Sequence, residues 1–550
     1  METTGRATED DPLKNEEEGL ETQAAPLATD LNKKAGKEGF GFSKLTHWRT
    51  AVFFLSLFLC LIVVFAFSFI IPCPVRPQYF VTWNRTFSEA ATYDFLAVEH
   101  ASTDKVMDVL FVLENAVGTN NKSCADAGLP SPCVVMVAVD GTDGETLWER
   151  PLYPRFNWAQ CGMDKDKGRA WHCLVSHADN ITAIDKYTGD VIWQQPKPPG
   201  QQSSLPVLSV PDLDGDKVVD VVLVASDSTQ TQLVLLSGRT GVQIGSTVTI
   251  ESMEATSHLL HLTKDGSYYI LLQKDTGVYG VALRNIAAQA QTGVDTDLRT
   301  NANLEKNASS ETGLIPIYES EAASVLRTKE TDDSSDLLVV TGKGVALVSG
   351  EKLQLRWRVN TSSVLGQPSF GYFNKDEVLD VVVEEHIGND TKKIIILDGM
   401  SGGVLWEVSL IAAANSPRPA SVHTTNSFSV FMFWGLRPSE SNSSVSTESL
   451  TTDRRAYMLH PLYSEVLLES PNVTDHIITF RATLMERGRH AAYLLLMGPK
   501  EEGAEGIVVL SKRKLKQDVP LCKILRIGSG GDSKTDEDIR EGFNRLRFSD

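Results

Sequence analysis

Four carboxylates between Asp212 and Asp220 form the strongest candidate for chemistry in this chain of 550 residues. Asp212, Asp214, Asp216 and Asp220 occupy positions 1, 3, 5 and 9 of a short segment that contains one glycine. Carboxylates at this spacing in a tight loop converge on one point, and Ca²⁺ takes six to eight oxygen ligands. We therefore predict a calcium site, to which Val218 at position 7 offers its backbone carbonyl. A solvated Asp-rich hairpin without an ion is the alternative.

Partial copies of this segment precede three other apolar runs: Asp104–Asp108, Asp332–Asp336 and Asp376–Asp380. These copies lack ligand positions. His100 and Ser102 stand where two acids would be expected before the first copy, and Tyr372 replaces the first acid before the third. We expect the acids of the partial copies mainly to cap turns, as Asp side chains do by bonding to nearby backbone groups.

A second phrase, Ala/Ile-x-Asp-x-x-x-Gly-x-x-x-Trp, indicates the elements that position these loops. Its clear copies end at Trp148, Trp193 and Trp406, and a copy without the glycine ends at Trp357. Asp and Gly are turn residues, and the flanking Val, Ile and Leu favour strands, so each copy reads as a hairpin. The closing Trp is large enough to fill the gap between one small sheet and the next.

The turn position of this phrase recurs through the chain at comparable intervals: Asp140, Asp185, Ser237, Arg284, Ser349, Asp398, His460 and Ser511. Propeller blades repeat at about 40–50 residues and contain four strands each. The sequence therefore predicts an all-β protein, a β-propeller of about eight blades, with seven as the alternative. The wider intervals contain polar stretches at 286–312 and 436–453, which we expect to be surface insertions.

An apolar segment precedes the repeats. Ala51–Ile71 is 21 residues long and carries no charge, which is enough to cross a hydrocarbon core of about 30 Å. Because 50 polar residues come first, a signal-anchor is favoured over a cleaved signal peptide. Five basic residues precede the span and only two follow closely, which predicts a type II single-pass protein with a cytoplasmic N-terminus. The basic run from Lys33 to Arg49 either signals this orientation or rests on anionic lipid.

These patterns predict five regions: a disordered cytoplasmic tail at 1–50, a transmembrane helix at 51–71, a stalk and first-blade entry at 72–90, the propeller at 91–527, and a C-terminal segment at 528–550 that is a candidate for closing the ring. The tail has ten acids, seven bases and few apolar residues. Such a composition cannot bury enough surface to fold.

Glycosylation motifs and cysteines place the C-terminal part outside the cytosol. Acceptor motifs all follow the span: Asn84, Asn121, Asn180, Asn307, Asn360, Asn389, Asn442 and Asn472. Single motifs of this kind arise by chance, and Asn180 falls in a predicted strand. Six cysteines also follow the span, and an even number in an oxidising compartment favours disulfides. We expect Cys124–Cys133 and Cys161–Cys173, which leaves Cys73 and Cys522 as a guess; buried free thiols are the alternative.

The composition and the missing motifs narrow the function classes. The formal net charge of −19 argues against binding a nucleic-acid backbone. The sequence contains no Gly-x-Ser-x-Gly, His-Glu-x-x-His, Walker lysine motif or Cys-x-x-Cys. We therefore expect a protein that is not an enzyme and binds no organic cofactor.

The two repeated phrases also carry a resemblance to known proteins. The Asp212–Asp220 loop resembles the FG-GAP repeat of integrin α-chain propellers, and the Trp phrase resembles the docking motif of quinoprotein alcohol dehydrogenases, which have eight blades. With the anchor, residues 44–548 resemble the integrin alpha FG-GAP repeat-containing protein 3 family, single-pass type II membrane proteins without an assigned reaction. The resemblance implies calcium ligands at Asp212, Asp214, Asp216 and Asp220. Lys217 departs from the usual Gly, and no quinone site carries over.

Three functions remain in competition. The first is a binding module at the cell surface or in endomembranes, held on a stalk at 72–77 and presenting a propeller to a protein or glycan. The second is an accessory subunit that escorts another membrane protein through packing of its span, although that span lacks a Gly-x-x-x-Gly face. The third is a quinoprotein-type oxidoreductase, which rests on fold analogy alone.

Overall fold

The computed structural model describes fourteen stretches of the chain: residues 42–70, 82–115, 122–162, 173–198, 203–293, 298–310, 312–329, 332–388, 390–412, 416–436, 454–486, 490–501, 503–527 and 534–549. The chain divides into two compact units, Met1–Arg76 and Pro77–Asp550.

The first unit contains one helix, α1, over Phe42–Ile70. Its stretch Trp48–Phe65 has a mean hydropathy of 2.3 and no buried surface, so it is long and apolar enough to span a membrane. The helix begins before the predicted span, because nothing between Phe42 and Thr50 interrupts the helical run. Residues 42–50, which the sequence assigned to the disordered tail, are thus helical. The rest of the predicted tail, 1–41, lies outside the described residues.

The second unit is a ring of eight four-stranded antiparallel blades, which confirms the predicted propeller and its larger blade number. The strands of blades 1 to 4 are β1 (Trp83–Glu99), β2 (Asp108–Asn115), β3 (Val134–Val139), β4 (Thr146–Leu152); β5 (Phe156–Cys161), β6 (Cys173–His177), β7 (Asn180–Ile184), β8 (Val191–Pro196); β9 (Ser203–Val210), β10 (Asp220–Ser226), β11 (Gln230–Leu236), β12 (Val248–Glu251); β13 (Ser257–Leu262), β14 (Tyr268–Lys274), β15 (Gly277–Ala282) and β16 (Ile315–Tyr318). A short helix, α2 (Lys122–Asp126), lies between β2 and β3.

The strands of blades 5 to 8 are β17 (Ser324–Arg327), β18 (Leu337–Thr341), β19 (Gly344–Val348), β20 (Leu355–Asn360); β21 (Ser369–Gly371), β22 (Asp380–Gly388), β23 (Thr391–Leu397), β24 (Val404–Ile411); β25 (Ala420–His423), β26 (Ser429–Gly435), β27 (Arg455–Leu459), β28 (Val466–Glu469); β29 (His476–Glu486), β30 (His490–Gly498) and β31 (Gly506–Lys514). Blade 7 has a fifth strand, β32 (Lys523–Arg526), on its outer edge.

One long strand, β1, closes the ring. Its first half, Trp83–Ala90, pairs with β31 and supplies the outer strand of blade 8, and its second half pairs with β2 as the inner strand of blade 1. The two blades therefore form one seven-stranded sheet. The seam is made by β1, near the start of the propeller, rather than by the candidate segment 528–550.

The interval between β15 and β16 contains more than a surface insertion. It forms α3 (Leu283–Ala290) and α4 (Ala302–Glu305). Leu283, Ile286 and Ala287 of α3 are buried in the core shared by blades 3 and 4. The sequence prediction for 286–312 was incomplete here, because the apolar face of α3 is short and interleaved with polar residues. The second predicted insertion, 436–453, lies outside the described residues beyond Leu436.

The C-terminal segment covers blade 7. After β31 the chain forms α5 (Leu515–Asp518), a 3₁₀ turn, β32 and then α6 (Asp536–Arg545). The capping box of Thr535 and Asp538 starts α6, whose Ile539 and Phe543 are buried in the core of blades 7 and 8. Phe548 is also buried there and forms a β-bridge with Thr424, so the chain returns to the end of β25.

The two faces of the ring carry different loops. The first strand of each blade lines the central axis, and first strands of neighbouring blades contact one another. Loops between first and second strands, and turns between third and fourth strands, lie on one face, which we call the Asp-loop face. Connections between second and third strands, and between successive blades, lie on the opposite face.

Candidate functional site

The tryptophans of the repeated phrase dock on the turn of the next blade. Trp148 Nε1 donates to the carbonyl of Lys186 at 2.8 Å, and Trp193 Nε1 donates to Gly238 at 2.9 Å. Two more make the same bond at 2.9 Å: Trp357 to Gly399 and Trp406 to Ser464. Each indole thus joins its own blade to the following one, as predicted for these positions.

A glycine with positive φ lies beneath most of the docked indoles. Gly189 has φ +72°, and a Cβ there would lie 2.6 Å from Cε3 of Trp148. Gly241 and Gly402 repeat this arrangement beneath Trp193 and Trp357. Leu353 takes the equivalent turn position in blade 5 with φ +49° and is buried. Blade 4 ends in β16, which has no Trp. No indole from blade 4 therefore covers the turn of blade 5, and the side chain of Leu353 fits in that space.

Sequence analysis missed a fifth docking residue, Trp83. Its Nε1 donates to the carbonyl of Gly141 at 3.2 Å, and its ring lies over Gly144, where a Cβ would approach within 2.8 Å. The phrase is split at this blade: its turn position, Ser511, lies in β31, whereas its Trp lies at the opposite end of the propeller sequence, in β1. A search for the phrase in a circular sequence would have found it.

Buried aspartates hold the same turns from the other side. Asp220 accepts from the backbone N–H of Leu213 at 2.6 Å and from Gly238 at 2.9 Å. Asp108 bonds Ala101 and Gly141 in the same way, and Asp380 bonds Phe373 and Gly399. In three seams, one glycine therefore donates its N–H to an Asp and accepts from a Trp of the previous blade. The last acid of each Asp segment forms part of this framework.

The predicted ion loop gathers three of its four acids. Carboxylate oxygens of Asp212, Asp214 and Asp216 all lie within 4.8 Å of one another. Asp212 also accepts four backbone N–H bonds from the loop, among them Gly215 at 2.6 Å. The carboxylates at positions 1, 3 and 5 thus come together in the structure. Lys217 takes the left-handed conformation, φ +68°, in which a glycine is usual.

The other two predicted ligands, Asp220 at position 9 and Val218 at position 7, have different surroundings. Asp220 is fully buried, and burial raises the pKa of its carboxyl to about 7, against the lowering effect of its two backbone bonds. The N–H of Val218 donates to Asp216 Oδ1 at 2.7 Å, and the Val218 side chain is buried. Arg239 pairs with Asp216 at 2.9 Å across the loop. An ion at this loop would compete with Arg239 for one carboxylate.

A second acidic group lies in blade 6. Oxygens of Asp376, Asp380 and Asp398 lie within 4.8 Å of one another, although Asp380 is bound to backbone N–H groups. Asp376 caps Val378, which is the turn-capping role expected for the partial copies, and Asp398 caps Met400 in the same way. Asp398 comes from the Trp phrase, so the two repeated phrases meet at this point.

A cavity of about 550 Å³ lies at the mouth of the central channel on the Asp-loop face. Its walls come from β25 and β29 and from the loop after β1, which the N–H of Met107 ties to Met485 at 2.8 Å. Three basic side chains, His100, Lys105 and His423, and one acidic side chain, Glu486, border it. No sequence pattern indicated this cavity, because its residues come from four distant parts of the chain.

Residues 83–549 match the family described as the FAM234A/B beta-propeller. The chain belongs to this family. It is 36% identical to Protein FAM234A of Homo sapiens over 545 residues, which covers 98% of this chain and 97% of that protein. It is 29% identical to Protein FAM234B of Gallus gallus, covering 91% and 82%.

The match to the family starts at Trp83, the residue that closes the ring, and includes the C-terminal cover of blade 7. Among solved structures, the WD40 domain of SCAP from fission yeast aligns over 78% of this chain and 98% of that chain, with 10% identity and a TM-score of 0.44. A likeness this distant supports no functional argument.

Both short disulfides are present in this family member. Cys124 bonds Cys133 between β2 and β3, and Cys161 bonds Cys173 between β5 and β6. Cys522 carries a free buried thiol, and burial raises its pKa to about 12. Cys73, the other cysteine of the guessed pair, lies outside the described residues.

The described glycosylation motifs favour one face. Asn180, Asn360 and Asn472 lie at turns or strand ends on the face opposite the Asp loops. Asn84, at the start of β1, and Asn307, between β15 and β16, belong to the Asp-loop side, and both are exposed. Three further motifs lie outside the described residues: Asn121, Asn389 and Asn442.

Proposed function

We propose that this protein is a non-enzymatic, single-pass type II membrane glycoprotein whose propeller binds a protein or glycan partner at the cell surface or in endomembranes. One observation carries the proposal: two disulfides lie within the propeller, at Cys124–Cys133 and Cys161–Cys173. Disulfides form and persist on the non-cytosolic side of membranes. The apolar helix α1 and the excess of positive charge before it agree with that orientation.

The docked indoles and buried aspartates support a binding role for the propeller. They fix neighbouring blades to one another, and a rigid scaffold presents loops at low entropic cost. The cavity at the channel mouth provides a concave surface on such a scaffold. We expect the partner to engage the Asp-loop face, because three of the five described glycosylation motifs lie on the opposite face.

Accessibility of tags in intact cells tests the orientation. The full chain with a C-terminal tag should expose that tag outside the cytosol and should shift in mass after glycanase treatment. Replacing Asn360 and Asn472 with Gln should reduce the shift, while Asn→Gln at Asn157, which lies outside any acceptor motif, should leave it unchanged. A C-terminal tag reachable only from the cytosol would disprove the proposal.

Capture of partners by the full chain tests the binding role. A partner that survives replacement of Ala51–Ile71 by an unrelated apolar span supports the propeller as the binding element. A partner lost only on that replacement supports the escort function instead. A bound chromophore in the purified chain would support the quinoprotein alternative.

We also propose calcium at the Asp212–Asp220 loop, with Asp212, Asp214 and Asp216 as side-chain ligands. Their convergence within 4.8 Å supports this proposal. The family description names a β-propeller and no FG-GAP repeat, so membership of the integrin alpha FG-GAP repeat-containing group remains a proposal from the residues of this loop.

A further inference from the structure

Three basic side chains of blades 6 to 8 lie on the Asp-loop face. We define the basic ridge as Lys375, Arg547 and Lys516. Lys375 and Arg547 are exposed and Lys516 is half-buried. Within the described part of the chain, none of the three has an acidic group at ion-pair distance.

Contacts with one loop and the C-terminal segment hold the ridge together. The N–H of Thr425 donates to the carbonyl of Arg547, which fixes the C-terminal segment against the loop after β25. Phe428 of that loop lies 5.2 Å from Lys375 Nζ, and Phe548 lies 5.9 Å from Lys516 Nζ. Aromatic faces attract cations at these distances, so Phe428 holds the ammonium group of Lys375 and Phe548 holds that of Lys516, which feels the charge of Arg547.

Neighbouring positive charges act on two lysines of this region, as a smaller effect than burial. Burial, followed by the charge of Arg547, lowers the pKa of Lys516. Burial, followed by the charges of Lys516 and Lys512, lowers the pKa of Lys514 to about 8, despite the opposing effect of Glu486. A multivalent anion at the ridge would offset this repulsion.

The ridge borders the cavity at the channel mouth. The N–H of Ser549 donates to the carbonyl of His423, and both residues line that cavity. Lys105 and His100 stand on its far wall. Basic groups thus occur in blades 6, 7, 8 and 1 around a cavity that also contains the acidic Glu486, in a chain whose formal net charge is −19. Of the five described glycosylation motifs, Asn84 in the outer strand of blade 8 is the one that lies on this side of blades 6 to 8.

We propose that the basic ridge and the adjoining cavity bind a sulfated glycan chain. The proposal rests on the non-cytosolic orientation of the propeller proposed above, because sulfated polysaccharides are the flexible polyanions of that compartment. Sulfate groups along a chain match separated cations on a ridge, and the cavity accommodates part of a sugar ring. Binding of this kind releases counterions and weakens steeply with salt.

Heparin, used as the probe, tests this assignment on the full chain in nanodiscs of neutral lipid. The triple variant Lys375→Gln, Lys516→Gln, Arg547→Gln should bind heparin at least about tenfold more weakly, and its affinity should depend less on salt. The matched control Lys306→Gln, Lys343→Gln, Lys352→Gln removes the same charge from exposed positions of blades 4 and 5 and should bind as the wild type does. Equal heparin affinity of the two triple variants would overturn the proposal.

Two further experiments identify the chemistry of the ligand and check that the variant is still folded. Desulfated heparin should not compete, whereas poly-glutamate competing as well as heparin would assign the ridge to an acidic peptide and overturn the sulfated glycan. Arg547→Glu alone, at an exposed position, should weaken heparin binding at an unchanged melting temperature. If the ridge fails these tests while a protein partner is still captured, the binding module stands and the sulfated-glycan ligand does not.

Discussion

Trp83 docks on Gly141, and this contact joins the last blade of the ring to the first. Gly141 also donates its N–H to the buried Asp108 at 3.1 Å. The seam therefore repeats the Trp–Gly–Asp arrangement found inside the ring at Gly238 and Gly399. Closure depends on the same contacts that join ordinary neighbouring blades.

Loss of the Trp83 indole should open this seam. Trp83 is 7% exposed, and replacing a buried Trp with Ala costs about 3–5 kcal/mol. We expect Trp83→Ala to lower the melting temperature and to make the segment before β2 sensitive to protease. Trp83→Phe retains most of the apolar contact and loses the hydrogen bond, which costs only about 1 kcal/mol. Equal melting curves for wild type and Trp83→Ala would contradict a closing role.

The glycines under the indoles should tolerate no side chain. Gly189→Ala places a Cβ 2.6 Å from Trp148 and also has to adopt φ +72°. Gly266→Ala is a matched control, because Gly266 has φ +84° and no atom within 4 Å of the added Cβ. Strain at positive φ costs about 1–2 kcal/mol at both sites, and the clash adds about 1–3 kcal/mol at Gly189 alone. Urea unfolding of the two variants would measure the difference.

Sequence reasoning found the ring because each blade repeats one short phrase within its own strands. Six of the eight predicted turn positions fall directly beyond the end of a third strand, from Asp140 after β3 to His460 after β27; Arg284 instead lies in α3, and Ser511 lies within β31. Those predictions need only local information. The Trp phrase likewise predicts which side chain faces the next blade.

Contacts between distant segments could not be predicted in this way. Trp83 was missed because its turn lies at the other end of the chain, and the basic ridge was missed because Lys375 and Arg547 are far apart in sequence. Asp220 was assigned to the ion loop by spacing alone. Its partner Gly238 lies in another strand pair, and only the fold reveals that bond.

Calcium binding should appear as a change in thermal stability. We expect chelation to lower the melting temperature of the full chain, because a ligand of the folded state stabilises it by mass action. Asp214→Ala should abolish the difference between chelated and calcium-loaded protein. Asp227→Ala is the control: Asp227 caps a turn in the same blade, outside the acidic loop, and its loss should leave the chelation effect intact. A melting temperature that does not change on chelation would contradict calcium binding at this loop.

Buried histidines should make the propeller sensitive to acid. Burial lowers the pKa of His258 to about 4, against 6.5 for the unfolded chain, despite the opposing effect of the bond between its Nε2 and the carbonyl of Pro206. Its contribution to stability is therefore complete above pH 6.5 and is lost as the pH falls to 4, by up to roughly 3 kcal/mol.

A variant comparison isolates this effect from carboxylates such as Asp380, whose raised pKa of about 6 acts in the opposite direction over the same range. His258→Gln should flatten the fall in melting temperature between pH 6.5 and 4. The exposed His100→Gln should leave the fall unchanged. A fall of the same size in all three proteins would show that His258 does not titrate as expected.

An ion pair buried in blade 6 should be costly to break and nearly neutral to remove. Lys392 Nζ lies 3.0 Å from both carboxylate oxygens of Glu384, and the side chains are 2% and 5% exposed. Lys392→Met leaves the carboxylate buried without its partner, and burial already raises the pKa of Glu384. The single change should cost about 3–5 kcal/mol, whereas Lys392→Met with Glu384→Leu should recover most of the lost stability. Urea denaturation of the wild type, both single variants and the double variant measures the coupling, and additive losses would show that the two charges do not stabilise each other.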